Sequence, residues 1–323
     1  MTYKICPNER IFIAGANGMA GSAICRSLLK KGYGNPKNDG LLLTPSKKDL
    51  NLLDNNAVNK WFKDNKPTVV VIAAAKVGGI LANSTQPTDF ILENLKIQNN
   101  LIEASWQSKV KRLVFLGSSC IYPKHSIQPI KEEYLLKGGL EPTNEPYAIA
   151  KITGIKLCQY LRMQYGFDAI SLMPTNLYGP NDNYHPENSH VVAALIKKFA
   201  EAKKNSYPSV ICWGTGEPLR EFMHVDDLGD AVVFVLENWF PSLNQNSINI
   251  NDDSIYYLNV GTGKDIKIKK LAEIIASALN YKGEIVWDTS KPDGTPRKQL
   301  DISKIKNLGW KPKIDLIEGV TET

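Results

Sequence analysis

The chain of 323 residues is poor in the groups that staple small folds or bind metals. It has five cysteines, Cys6, Cys25, Cys120, Cys158 and Cys212, an odd number with no CxxC spacing. That argues against a disulfide framework and a thiolate zinc site, and for a reducing compartment. Its four histidines, His125, His185, His190 and His224, make no HExxH or similar ligand pattern, so no metal is expected. No run of about 18 apolar residues is present to span a bilayer. Met1 to Arg10 has no apolar signal core, so a cytoplasmic protein with no membrane partner is expected. The net charge is +6, but no Lys/Arg run is interleaved with stacking aromatics, and no nucleic-acid partner is expected. The excess positive charge suits an anionic small molecule instead. Internal repeats and low-complexity tracts are also missing.

What is present is an ordinary globular composition, 43% hydrophobic and 22% charged, with enough apolar material for a sizeable core. The length fits one large α/β unit or such a unit with a smaller companion. Short apolar runs alternate with helical periodicity through about the first 175 residues. Strands are expected at Arg10–Ala14, Leu41–Leu43, Thr68–Ala75, Arg112–Leu116 and Ala169–Met173. Helices are expected at Met19–Lys31, Asn55–Asp64, Asp89–Gln107 and Glu145–Tyr165. The run TVVVIAAA is continuous rather than alternating, as in a parallel strand covered on both faces. A doubly wound parallel sheet follows. After Pro174, Gly and Pro become frequent. Helices are expected at Ser189–Lys204, Asp226–Asn238 and Ile268–Asn280. Residues 1–175 then form a Rossmann domain, rejoined by about 222–240, and 176–323 mainly form a smaller, interleaved substrate-binding lobe.

Gly15-Ala16-Asn17-Gly18-Met19-Ala20-Gly21 has GxxGxxG spacing between the first strand and the first helix. Glycines there let the backbone approach a pyrophosphate whose charge sits on the helix N-terminus. A site for the 2′-hydroxyl of NAD usually has an acid at the end of the second strand. Here that strand runs into Thr44-Pro45-Ser46-Lys47-Lys48, with no acid before Asp49. Lys47 or Lys48 can pair with a 2′-phosphate, so NADP(H) is the expected cofactor. Asp54 suits a helix cap or the adenine face.

Tyr147-Ala148-Ile149-Ala150-Lys151 puts a phenol and an ammonium one helical turn apart. A phenol titrates near ~10, and a neighbouring ammonium favours its ionised form. The pair can exchange a proton with a sugar oxygen as hydride moves. Ser118 and Ser119 follow the strand Arg112–Leu116, at the carboxyl end where a parallel sheet places its ligands. Either serine can hydrogen-bond the same oxygen.

Together with Tyr178-Gly179-Pro180 and Arg220 to Asp227 (REFMHVDD), these residues resemble the extended short-chain dehydrogenase/reductase superfamily. Longer segments resemble its family of GDP-4-keto-6-deoxy-D-mannose 3,5-epimerase/4-reductases. They are Ala73 to Ile80, Gly117 to Pro123, Glu141 to Lys151, Pro174 to Pro180, Asn188-Ser189-His190 and Lys291 to Lys298, and the likeness runs from about Arg10 to Trp310. The resemblance implies a GDP-sugar substrate and a homodimer through the helices Asp89–Gln107 and Glu145–Tyr165. It implies that Cys120, as base, and His190, as acid, invert the carbons beside the ketone. Tyr147, Lys151 and Ser118 then serve reduction at C4. Pro174, Thr175, Asn176, Leu177 and His190 are implied at the cofactor, in a loop after the family's sixth strand. Lys198, Trp213, Arg220 and Asp293 are implied at the GDP-sugar. Lys198 stands where an arginine is common, and Pro45 to Lys48 where an arginine-containing run is common. A 4-epimerase, a 4,6-dehydratase and a non-catalytic NADP-binding sensor are the rival expectations. A dehydratase would place Asp-Glu where Cys120-Ile121 stands, and a sensor has no need of Ser118, Tyr147 and Lys151 together.

Overall fold

The structure, a computed structural model, describes residues 5–185, 189–239, 256–291 and 293–323. Asn188 and Pro292, within two of the segments quoted above, lie outside the described residues, as does position 240 of the rejoining stretch.

Chain order through the first unit is β1 (Arg10–Ala14), α1 (Met19–Lys30), β2 (Leu41–Leu43), α2 (Asn55–Asn65), β3 (Val69–Ile72), α3 (Ile80–Thr85), α4 (Pro87–Gln107), β4 (Arg112–Leu116), α5 (Glu145–Tyr165) and β5 (Ala169–Pro174). Then follow β6 (Asn176–Tyr178), α6 (Val191–Lys204), β7 (Ser209–Trp213), β8 (Leu219–His224) and α7 (Val225–Asn238). The last elements are β9 (Tyr257–Val260), β10 (Asp265–Lys267), α8 (Ile268–Ala278), β11 (Glu284–Asp288), β12 (Arg297–Lys298), α9 (Ser303–Asn307) and α10 (Leu316–Glu322).

Six strands form one parallel sheet in the order β2-β1-β3-β4-β5-β9. Strand order reverses at β1, so the crevice beyond the carboxyl ends of β1 and β3 is where such a sheet takes a ligand. Val69, Val70, Val71 and Ile72 are all fully buried, which is why β3 reads as a continuous apolar run. Each contributes about 1.5–3 kcal/mol through burial.

The strand expected over Thr68–Ala75 spans only Val69–Ile72; Ala73 N still donates to Ala14 O of β1 at 3.0 Å, and Ala74 to Lys76 lie beyond the ladder. The Asn94 side chain clamps Lys76, accepting from its N–H at 3.0 Å and donating to its carbonyl at 3.0 Å. Helix α4 begins at Pro87 rather than Asp89, because proline suits the first helical turn. Helix α6 begins at Val191 rather than Ser189, and α8 stops at Ala278 rather than Asn280. The strand before Asn176 is the fifth in chain order. The sheet's sixth strand is Tyr257–Val260, which pairs with β5.

A second core of Tyr178, Val192, Leu195, Phe199, Leu271 and Ile275 lies between α6, α8 and the short strands. Helix α7 packs back on the first unit. A Cβ at Gly229 would lie 2.6 Å from Ala23 O, so α7 and α1 touch nearly backbone to backbone. Buried Arg112 fastens α7 to β4, donating to Leu236 O at 3.0 Å, Trp239 O at 2.7 Å and Asp168 Oδ2 at 3.0 Å. No helix of the described residues is long and apolar enough to cross a membrane.

Candidate active site

The turn from Gly15 to Gly21 joins β1 to α1 at the reversal point of the sheet. Gly15 has φ +86°, and a Cβ there would sit 2.8 Å from the backbone of Ala74, so the turn abuts the loop after β3. A Cβ on Gly21 would lie 2.1 Å from Gly15 O, which lets the helix close on the turn. A Cβ on Gly18, the N-cap of α1, would meet only Gly15 O, at 3.5 Å, and the first turn of α1 holds no acidic side chain. Unblocked backbone N–H groups at the positive end of a helix fit a dinucleotide's pyrophosphate. Ala16, Asn17, Met19 and Ala20 complete this wall.

Past β2, the Ser46 hydroxyl and N–H both donate to Asp49 Oδ2, at 2.7 and 2.9 Å. Ser46 therefore shapes a turn that leaves Lys47 and Lys48 exposed, without ion pairs among the described residues. Two free ammonium groups beside the second strand fit a phosphate on the adenosine ribose. At the other end of the crevice, Pro174 closes β5 and Leu177 lies in β6. Between them, Thr175 Oγ1 and Asn176 Nδ2 donate to Glu221 O at 3.2 and 2.9 Å.

Ser118 caps a short 3₁₀ turn, Ser119–Ile121, just past β4. Its hydroxyl accepts from the Cys120 thiol at 3.0 Å and from Cys120 N at 3.3 Å. It also hydrogen-bonds the Tyr147 phenol. Thiol, hydroxyl and phenol thus converge on one point. One turn along α5, Lys151 Nζ donates to Leu116 O at 2.7 Å and lies 5.7 Å from the centre of the Tyr147 ring. Burial pulls the Lys151 ammonium down to about 8, against the opposing pull of Cys120.

The phenol behaves differently from the sequence expectation. Enclosure in the cleft is the largest effect on Tyr147 and pushes its titration up, the Cys120 charge adds to this, and the Ser118 hydrogen bond opposes both. Desolvation outweighs the lysine one turn away, so Tyr147 is a proton donor, not a phenolate.

His190 is the residue before α6 and reaches solvent, with no side-chain bond to the helix end. It sits between cleft walls whose desolvation pulls its imidazole below the ordinary value; Asp182 opposes this and Lys298 adds to it. Lys298 also faces Cys120, Arg220 and Glu141. The structure therefore joins Ser118, Cys120, Tyr147 and Lys151 directly, and among the described residues no hydrogen bond ties His190 to them.

The four residues implied for the GDP-sugar gather around a second point. The Trp213 ring is 65% exposed, which leaves a face open. Lys198 Nζ lies 5.2 Å and Lys291 Nζ 5.6 Å from its centre. Lys198 is also tied to Ile211 O at 2.9 Å. Asp293 fixes the turn after Trp213, accepting from Thr215 N at 3.0 Å and from Thr215 Oγ1 at 2.6 Å. Arg220, one strand away, feels Asp293 and Glu141. An aromatic face between cations suits a nucleobase joined to phosphates.

Sequence reasoning passed over Asp182, Asn144 and Lys298. Asn144 Oδ1 is buried with no partner among the described residues, three positions before Tyr147. Asn144 and Lys298 lie within quoted segments, where their residue types were a usable signal. Asp182 had none, because only folding sets it beside His190.

A glycine turn on a reversed parallel sheet, with Ser118, Tyr147 and Lys151 at its carboxyl edge, defines an extended short-chain dehydrogenase/reductase. The chain belongs to the NAD dependent epimerase/dehydratase family, whose profile matches residues 11–250. It is 51% identical to GDP-L-fucose synthase 1 of Arabidopsis thaliana, over 98% of this chain and 92% of that one. It is 50% identical to the GDP-L-fucose synthase of Escherichia coli (strain K12), over 98% and 95%. Among solved structures, a GDP-mannoheptose C4 reductase from Campylobacter jejuni with NADP bound is 37% identical, with a TM-score of 0.85 over 98% of each chain.

Proposed function

We propose that the chain is a GDP-L-fucose synthase, an NADP(H)-dependent enzyme that epimerises GDP-4-keto-6-deoxy-D-mannose at C3 and C5 and then reduces C4. The observation that carries this is the Cys120 thiol, 3.0 Å from the Ser118 hydroxyl that also meets Tyr147. A reductase alone has no use for a thiol there. A ketone acidifies the C–H bonds on both of its neighbours, and an abstracting group beside the carbonyl site can reach them.

Ser118 and Tyr147 hold the C4 oxygen. The Cys120 thiolate takes a proton from C3 or C5, and the negative charge spreads onto that oxygen. The His190 imidazolium gives a proton to the opposite face of the same carbon. The resulting thiol and imidazole exchange with water and return to thiolate and imidazolium. Gly15 to Gly21, with Ser46 and Lys47, would hold NADPH, which when bound would supply the hydride for C4. Tyr147 gives its proton to the C4 oxygen, and Lys151, titrating at about 8, restores it. Pro174 to Leu177 and His190 would line the nicotinamide end of that cofactor. Trp213 takes the guanine, and Arg220 and Lys198 the diphosphate, with Asp293 setting the Trp213 loop.

Leu92, Ile149, Tyr160 and Tyr165 leave apolar surface exposed on α4 and α5. That surface supports a homodimer in which these helices form a four-helix interface.

The test is deuterium wash-in from heavy water. Wild-type protein should label both C3 and C5 before reduction, and Cys120→Ser should lose this while still binding NADPH. Wild-type labelling in that variant would remove Cys120 from the mechanism. No labelling in the wild type would leave a plain C4 reductase.

A further inference from the structure

We infer that Tyr122 is a positioning residue for the epimerising half of the reaction: its phenol, anchored on buried Asn259, sets where the turn that carries the Cys120 thiol stands. This rests on Cys120 being the base, as proposed above.

The turn Ser119–Ile121 is short and only loosely tied to itself. Cys120 N reaches Ser118 Oγ and Ile121 N reaches Ser118 O, each at 3.3 Å, which is long for an N–H donor. Before the turn, the chain is fixed where Gly117 N donates to Leu172 O at 2.8 Å. After it, Tyr122 runs extended and is buried. The Tyr122 phenol donates to Asn259 Oδ1 at 2.6 Å. Asn259 lies in β9, two strands across from β4 in the order β4-β5-β9. The phenol thus draws the end of the turn across the sheet, and Cys120 stands between these two fixed points.

Asn259 is oriented to receive that phenol. It is fully buried, and both hydrogens of its side-chain amide are spent, on Ile130 O at 2.9 Å and Asp301 O at 3.0 Å. Its amide oxygen is thereby turned to Tyr122 and can only accept, so the phenol must donate. Burial, with the Glu132 charge adding to it, pushes the Tyr122 phenol well above its ordinary range, which keeps that proton in place. Strand β9 does not depend on the phenol. It pairs with β5 over four residues, and Asn259 N also donates to Glu132 Oε1 at 3.0 Å. Ser118 and Tyr147 do not depend on it either. Ser118 follows directly on the Gly117 tie, and Tyr147 stands in the 21-residue helix α5. The segment that loses its anchor with the hydroxyl is the one that bears the thiol. A base must reach C3 and C5 of a sugar whose C4 oxygen is held by Ser118 and Tyr147. The place of the sulfur relative to those hydroxyls therefore sets the rate, and a shift of about 1 Å can cost ~10²-fold.

The experiment compares two rates in one preparation. The first is deuterium wash-in at C3 and C5. The second is the single-turnover reduction of NADP+ by GDP-L-fucose, followed by nicotinamide absorbance. In that reverse step hydride leaves C4 for NADP+ and the hydroxyl proton leaves by way of Tyr147, so Cys120 is not used. Both rates are read on the same protein, so their ratio does not depend on the fraction that is folded. Tyr122→Phe and Asn259→Ala should each lower the ratio of wash-in to hydride transfer about tenfold or more. The double variant should lower it no further than the stronger single variant, because both changes cut one bond. A ratio unchanged in the two single variants, whether their rates fall together or not at all, overturns the inference, since the bond would then serve packing alone. So does a ratio lowered in Asn259→Ala but not in Tyr122→Phe, which would leave the phenol without a part in placing the thiol. Failure of the underlying reading looks different, because Cys120→Ser would then keep wild-type wash-in whatever Tyr122 does.

Discussion

Replacing Tyr147 with Phe deletes one hydroxyl and should separate the two halves of the reaction. The Tyr147 phenol is held in its protonated form by enclosure and hydrogen-bonds Ser118. Without it, the C4 oxygen keeps the Ser118 hydroxyl but has no acid to take a proton from as hydride arrives. A positioned general acid is worth about 10²–10⁴-fold, or about 3–5 kcal/mol of barrier. Single-turnover reduction in the variant should fall by that factor. Wash-in at C3 and C5 should persist, because Cys120 and His190 are untouched, and the epimerised ketone should accumulate. The pH profile of wild-type reduction carries a second check. Because the phenol titrates above its ordinary range, its own ionisation should not limit the rate. The alkaline fall should instead centre near Lys151, at about 8. A Phe variant that reduces within a few-fold of wild type, or an alkaline limb unchanged in Lys151→Met, would refute this assignment of the proton.

Lys151 also bears on stability. Its folded value, about 8, lies below that of a free lysine near ~10.4, so between them the unfolded chain binds the extra proton and stability rises with pH. The stability of Lys151→Met minus that of wild type, from urea melts, should fall by on the order of 3 kcal/mol across that window; a constant difference would show that the ammonium is not desolvated. Arg112→Met should cost about 3–5 kcal/mol, since it leaves the carbonyls at the end of α7 without their buried donor and leaves Asp168 with Arg162 alone. A loss under about 1 kcal/mol would mean that α7 is held by other contacts.

Much of the first unit was legible because its signals are local. The glycines of the first turn, the unbroken apolar run of β3 and the four-residue spacing of Tyr147 and Lys151 each follow from a short stretch of chain. The later strands were not legible for the same reason. β9 is four residues and β12 two, too short for any period to show, and both exist only through pairing with partners far away in sequence. Continuous apolar character also overran the end of β3 at Ile72, where the sequence has no stop signal and only the Asn94 clamp on Lys76, from a helix further along the chain, fixes the segment beyond.

The amino-acid order by itself settled the parallel α/β architecture, the dinucleotide turn and the residue types of the reacting groups, since these depend on backbone preference and periodicity over a few residues. Tertiary structure decided which charges meet. It brought Asp182 to His190 and enclosed Tyr147 so that desolvation outweighs its lysine neighbour. Those outcomes depend on distance and solvent exclusion between segments far apart in sequence, which no local pattern encodes.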